Sequence, residues 1–197
     1  IPRPEPWPEP VNGVQLLNEL MAAYEKYVIL PDYAAPALAL WTLQTYKYEC
    51  FEFSPRLAIV SPEKRCGKST LLTMLNLLAC KTLMTSNISA ASIFRVIEMT
   101  QPTLLIDEAD TFLRNNPDMV GILDAGHRFG GTTIRTEYRG KHAIPTRFKC
   151  YSPCAIAAIN KRTLSGPLLD RSIIITMRRK LAAERTAALR IRTTEAE

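Results

Sequence analysis

Four short apolar runs constrain this chain more than any other feature: Leu57-Ala-Ile-Val60, Thr103-Leu-Leu-Ile106, Ala155-Ile-Ala-Ala-Ile159 and Ile173-Ile-Ile175. None alternates with polar residues, so each reads as a strand buried on both faces. Lys81 to Thr85 supplies a fifth, short strand. Helical patterns separate them: Ser69 to Cys80, Ser89 to about Glu98, and a helix opening at Asn116-Pro117-Asp118, where Asn caps, Pro comes first and an acid sits in the first turn. That helix should end near Gly126. Buried strands separated by helices imply an α/β fold with a mostly parallel, five-stranded sheet covered on both faces.

With 197 residues, 47% hydrophobic and 22% charged, the chain can build one sizeable domain and a small helical appendage. Residues 1–10 carry Pro at every second position from Pro2 to Pro10, which excludes helix and favours an extended leader or linker. Residues 11–52 read as a helical segment packed on the core. Leu17, Leu20, Met21, Tyr24 and Val28 recur at helical spacing before Pro31, and a second helix starts at Pro36 and runs toward Tyr48. The core spans 53–180, and the basic tail 181–197 is expected to form one helix.

No apolar run approaches the roughly 20 residues of a membrane span. The chain opens on Ile1 without a basic-then-apolar start, so no signal peptide is expected, and the absent initiator Met points to a fragment or a processed chain. Cys50, Cys66, Cys80, Cys150 and Cys154 form no C-x-x-C pair; they read as free thiols of a reducing cytoplasm, with a zinc site disfavoured. The formal charge of +6 leans mildly toward an anionic partner.

Between the first strand and its helix lies Ser61-Pro-Glu-Lys-Arg-Cys-Gly-Lys-Ser-Thr70. It fits the phosphate loop G-x-x-x-x-G-K-S/T at Gly67, Lys68 and Ser69 and departs at the first glycine, here Pro62. Gly67 lets backbone approach a phosphate, Lys68 offers a point charge to the β- and γ-phosphates, and Ser69 can hold Mg²⁺. The whole stretch Pro62, Glu63, Lys64, Arg65, Cys66, Gly67, Lys68, Ser69 and Thr70 is the candidate ATP-binding loop; a basic surface turn is the alternative. About forty residues on, Thr103-Leu-Leu-Ile-Asp-Glu-Ala-Asp110 delivers carboxylates at a strand's C-terminal end, where open α/β sheets bind ligands. Asp107 is the expected Mg²⁺ partner and Glu108 the base for an attacking water. The two-lobed helicases named for D-E-A-D are excluded by the short chain remaining after Asp110.

These features resemble AAA+ P-loop ATPases, a three-layer fold of the ASCE class, and especially the branch holding viral superfamily III and minichromosome-maintenance helicases. The resemblance implies roles for three further places. Asn160, ending a strand, is similar to the sensor-1 residue, or else caps that strand. Arg171, in Leu168-Leu-Asp-Arg171, stands where that branch carries an arginine finger, or else pairs with an acid. The basic stretch 132–149, two short strands about Gly140, lies where the branch inserts a DNA-gripping hairpin; Arg135, Arg139, Lys141, His142 and Arg147 are its candidate DNA contacts, a solvated hairpin the alternative. More closely, PDYAAPALALWTLQTY, SPRLAIVSPEKRCGKSTLL, IFRVIE, PTLLIDEADTFLR, GHRFGG and LLDRSIII resemble an uncharacterised domain family of phage, plasmid and other mobile-element proteins, across most of residues 31 to 180. That family shares the non-glycine loop start and often accompanies primase-polymerase or helicase-like modules. The lid and second sensor arginine usual in AAA+ proteins are incomplete here, and Arg185, Arg190 and Arg192 match that sensor poorly.

The leading expectation is therefore an ATP-hydrolysing, DNA-stimulated motor of helicase type from a mobile-element replication protein, assembled as a homo-oligomeric ring such as a hexamer. A loader or switch acting on a protein partner, and a nucleotide-binding scaffold without hydrolysis, are the alternatives.

Overall fold

Apolar side chains at successive positions of a strand point to opposite faces, so a strand apolar throughout can be satisfied only between two layers. The computed structural model describes residues 1–113 and 116–190, without the side chains of Phe112 and Arg139. Five strands, β1 (Arg56–Ser61), β2 (Thr82–Thr85), β3 (Thr103–Ile106), β6 (Cys154–Ile159) and β7 (Ser172–Thr176), form one sheet in the order β2-β3-β6-β1-β7. Every pairing is parallel. Two more strands, β4 (Thr132–Arg139) and β5 (His142–Lys149), form a separate antiparallel hairpin.

On one face, Leu57, Ile59, Leu105, Ala155, Ala157 and Ile175 pack with side chains of α1 (Gly13–Tyr27), α2 (Ala34–Tyr46) and α3 (Lys68–Leu78). On the other, Ala58, Val60, Leu104, Ile106, Ile156 and Ala158 pack with α4 (Ala90–Thr100), α6 (Pro117–Ala125) and the short α7 (Gly166–Asp170). The architecture is thus α/β with helices on both faces of a parallel sheet. Fully buried residues such as Leu71, Leu72 and Leu75 of α3 each gain about 1.5–3 kcal/mol over exposure.

Local chemistry sets the element ends. The Asn12 side chain accepts from Val14 N and Gln15 N at the start of α1, Ser89 from Ser92 N at α4, and Asn116 from Met119 N at α6, with Pro117 first in that helix. Helix α2 begins at Ala34, two residues before the expected Pro36. Helix α3 differs from its capped neighbours: Gly67 precedes it in a left-handed conformation and no side chain caps it.

The tail departs from expectation. Residues 181–190 contain no helix, and 191–197 lie outside the described residues. Glu184 accepts from Leu181 N and pairs with Arg178, closing a turn. Ala187 N then bonds Lys26 O of α1 at 2.8 Å, and Leu189 packs against the α1–α3 cluster. These tertiary contacts override the helical propensity of an Ala- and Leu-rich run. No partial lid of helical form stands in the described tail.

Candidate functional site

In a parallel sheet all strands end on the same side, so residues just after β1, β3 and β6 converge. A cleft of about 390 Å³ opens there. The β1–α3 loop contributes Lys64, Arg65, Lys68 and Ser69; the segment after β3 contributes Asp107, Glu108, Asp110 and Thr111; Ala157 and Ile159 of β6 complete the wall. Residues separated by forty positions in sequence thus share one cavity.

The β1–α3 loop opens on Pro62, where the G-x-x-x-x-G-K-S/T pattern has glycine. Pro62 is exposed, and the bend is braced by side chains instead: Ser61 Oγ donates to Glu63 O at 2.6 Å and accepts from Lys68 Nζ at 2.6 Å. Arg179, just past β7, pairs with Glu63 at 3.1 Å and donates to Lys64 O at 3.4 Å. The buried Cys66 thiol reaches Glu63 O at 3.3 Å. Arg65 and Gly67 take φ of 65° and 83°. A Cβ on Gly67 would meet only ordinary contacts, Met177 Cε at 3.7 Å and Val28 Cγ1 at 3.8 Å, so conformation and not space calls for glycine there. The loop leaves the N-terminus of α3, with its partial positive charge, facing the cleft behind exposed Ser69 and half-buried Thr70.

Across the cleft, Asp107 N bonds Thr85 O at 2.9 Å, and its carboxylate accepts from Glu108 N at 2.9 Å. Glu108 is exposed and left-handed, φ 52°, before the four-residue helix α5 (Ala109–Phe112). Asp110 is a residue that the sequence reading left without a role. Its Oδ1 accepts from Ile159 N at 3.0 Å, fastening the acidic turn to the end of β6. The third acid of D-E-A-D was visible, but its partner is forty-nine positions away.

The other candidates lie elsewhere. Asn160 has φ 67°, its side chain accepts from Arg162 N at 3.0 Å, and it lines a neighbouring cleft with Pro117 and Leu164. That side chain caps the turn at Lys161–Thr163, while the Asn160 backbone N–H bonds Ser61 O, at the end of β1, at 2.8 Å. Arg171 follows α7 at the N-terminal edge of the sheet and pairs with Asp124 at 3.4 Å. Burial pushes the Asp124 carboxyl above its usual range, and Arg171 works against that rise.

The hairpin cations do not share one face. Arg135 belongs to the face of buried Phe148; it pairs with Asp118 at 3.4 Å and lies over Phe94, 5.9 Å from its centroid. His142 stands on that face, at the exposed tip beside Lys141 and Gly140, while Arg147 is exposed on the other. The Arg139 side chain lies outside the described residues. Arg135 thus tethers the hairpin to α6.

All five cysteines are free thiols, and burial pushes Cys154 up to about 11. Among the described residues there is no group of three or more His, Cys, Asp or Glu side chains that could hold a metal ion, and no helix long and apolar enough to cross a membrane. Comparison with family models and with curated proteins finds no match to this chain.

Proposed function

We propose that this chain is a P-loop ATPase core of the AAA+ kind, working as a DNA-stimulated motor module. The observation carrying the proposal is the single cleft that joins Lys68 and Ser69 to Asp107 and Glu108. In this reading the triphosphate lies over the start of α3, where free N–H groups and the helix dipole favour anions. Lys68 exchanges its bond to Ser61 Oγ for the β- and γ-phosphates. Ser69 Oγ and the Asp107 carboxylate hold Mg²⁺, an ion that commonly takes one or two protein oxygens beside water and phosphate and here supplies charge neutralisation. Glu108, exposed at the mouth, orients the attacking water and removes its proton. Asp110 keeps that turn in register with β6.

The basic hairpin and the +6 charge favour a polyanionic track, hence the motor over a protein-directed switch. A scaffold that binds nucleotide without turnover has one observation behind it: Lys68 is already satisfied by Ser61. The paired acids favour hydrolysis.

Mg²⁺-ATP hydrolysis and ATP binding, measured with and without single-stranded DNA, test the reading. Glu108→Gln is expected to keep ATP binding while lowering turnover about 10²–10⁴-fold, the usual contribution of a positioned base. Lys68→Ala is expected to lose both. Unchanged turnover in Glu108→Gln would refute the assignment of the base, and nucleotide binding with no turnover in the unaltered chain would select the scaffold.

A further inference from the structure

Another cleft, about 340 Å³, lies at the root of the hairpin beside α4 and the segment following α2. Small-ligand sites begin at about this size, roughly 300 Å³. Its wall is aromatic. The buried rings of Tyr48 and Tyr151 are 5.3 Å apart, and the Tyr151 hydroxyl lies 2.8 Å from Tyr48 O and 2.7 Å from Phe51 O, which pins the platform. Phe129 meets Tyr151 edge-on at 5.6 Å, yet is 62% exposed. The backbone beneath this phenyl is fastened and closely packed: Phe129 N bonds Glu52 O at 2.8 Å, and a Cβ at Gly131 would fall 2.0 Å from Ala125 O. The edge contact with Tyr151 leaves most of the Phe129 ring in water at the mouth of the pocket.

Arg147 and Lys149 stand at the rim, both exposed, and neither side chain makes an ion pair among the described residues. They belong to the hairpin face opposite Phe148, which also carries Ile134, 62% exposed, and Tyr138, 76% exposed. From Lys149 to the strand partner of Tyr138, Ala143, is about 20 Å at the rise of an antiparallel strand. Two cations at the root, Ile134 beside Arg147, and Tyr138 near the tip thus share one exposed face of the hairpin. Glu49 and Glu98 also border the pocket, but Glu49 faces Arg3 at 3.6 Å and Glu98 accepts from Lys149 N.

We propose that this cleft receives a base of single-stranded DNA, stacked on Phe129, with adjoining phosphates on Arg147 and Lys149 and the strand continuing over Ile134 toward Tyr138. Stacking on an aromatic ring beside a cationic track suits a single strand of any sequence, because every base has a π face. Gln101 lies in the same wall and offers hydrogen bonds to a base edge. The choice of DNA rests on the motor reading above; the pocket itself does not depend on ATP chemistry.

The test is binding of the full chain, without nucleotide, to a single-stranded oligodeoxynucleotide carrying 2-aminopurine, read by affinity across a salt series and by fluorescence quenching. Phe129→Ala is expected to weaken binding about tenfold or more and to relieve the quenching, while Phe129→Trp retains both. Arg147→Ala and Lys149→Ala should each lower the salt slope by about one. Binding and quenching by Phe129→Ala equal to those of the unaltered chain overturn the site, as does absence of binding by the unaltered chain; persistent ATP turnover then leaves the ATPase reading standing. Phe129-dependent binding by a chain that does not hydrolyse ATP keeps the site and removes the motor.

Discussion

Arg56 opens β1 with its side chain 1% exposed, an expensive place for a permanent charge. Burial lowers its pKa, and three hydrogen bonds compensate: Nε and Nη2 to Leu123 O at 3.2 and 2.7 Å, and Nη1 to Ser152 O. Those acceptors end α6 and precede β6, so one guanidinium ties three elements together just where the C-terminal carbonyls of a helix favour a cation. Arg56→Met keeps much of the volume but orphans buried carbonyls. It should cost about 1–3 kcal/mol, seen as a lower denaturant midpoint at unchanged slope in equilibrium unfolding. Nothing in the pattern around Arg56 distinguishes it from a surface arginine ahead of a strand, because its acceptors lie 67 and 96 positions away.

At the scale of elements, helix starts carry the contrast that matters. The Asn116 side chain satisfies Met119 N at 3.1 Å, so Asn116→Ala is expected to destabilise the chain by about 1 kcal/mol in thermal or denaturant unfolding. The start of α3 is left uncapped behind Gly67, the arrangement expected where an external anion is to supply the missing acceptors. Both readings were legible in the residues, Asn-Pro-Asp for a capped start and Gly-Lys-Ser for an open one. The bracing of the Pro62 turn by Ser61 and Arg179 was not legible, since Arg179 arrives from beyond the last strand. The hairpin was legible as two strands about Gly140, φ 63°, but its faces were not. Register decides them: pairing Ile134 with Arg147 and Arg135 with Thr146 puts the two arginines on opposite sides.

For the whole molecule, the direction of the sheet separates two groups of residues. Lys68, Asp107 and Glu108 follow the C-terminal ends of their strands, whereas Arg171 precedes β7, and its carbonyl accepts from Arg56 N at the opposite edge. The six residues of β1 put about 20 Å between those edges. Arg171 therefore cannot serve the cleft of its own chain, and an arginine-finger role requires a second copy. Phe53, 50% exposed, borders the same cleft as Arg171. If the finger reading holds, Arg171→Ala and Glu108→Gln are each nearly inactive alone, yet their mixture recovers hydrolysis, because the Glu108→Gln chain lends its arginine to an intact neighbouring cleft. Turnover per chain that rises with protein concentration is the companion measurement. A mixture no more active than its parts would confine Arg171 to its ion pair with Asp124.

What the residues by themselves determined was local or periodic: unbroken apolar runs demanded a sheet covered on both faces, and Gly-Lys-Ser marked a helix start with free N–H groups. An acid pair closing an apolar strand likewise marked its C-terminal end. Tertiary structure alone decided the rest. It inserted β6 between β3 and β1, bound Asp110 to Ile159, turned the Asn160 side chain onto Arg162 N, and laid residues 181–190 along α1 instead of coiling them into a helix. Each of these depends on groups brought together only when distant segments pack, where burial and hydrogen-bond satisfaction outweigh the tenths of a kcal/mol carried by local propensity.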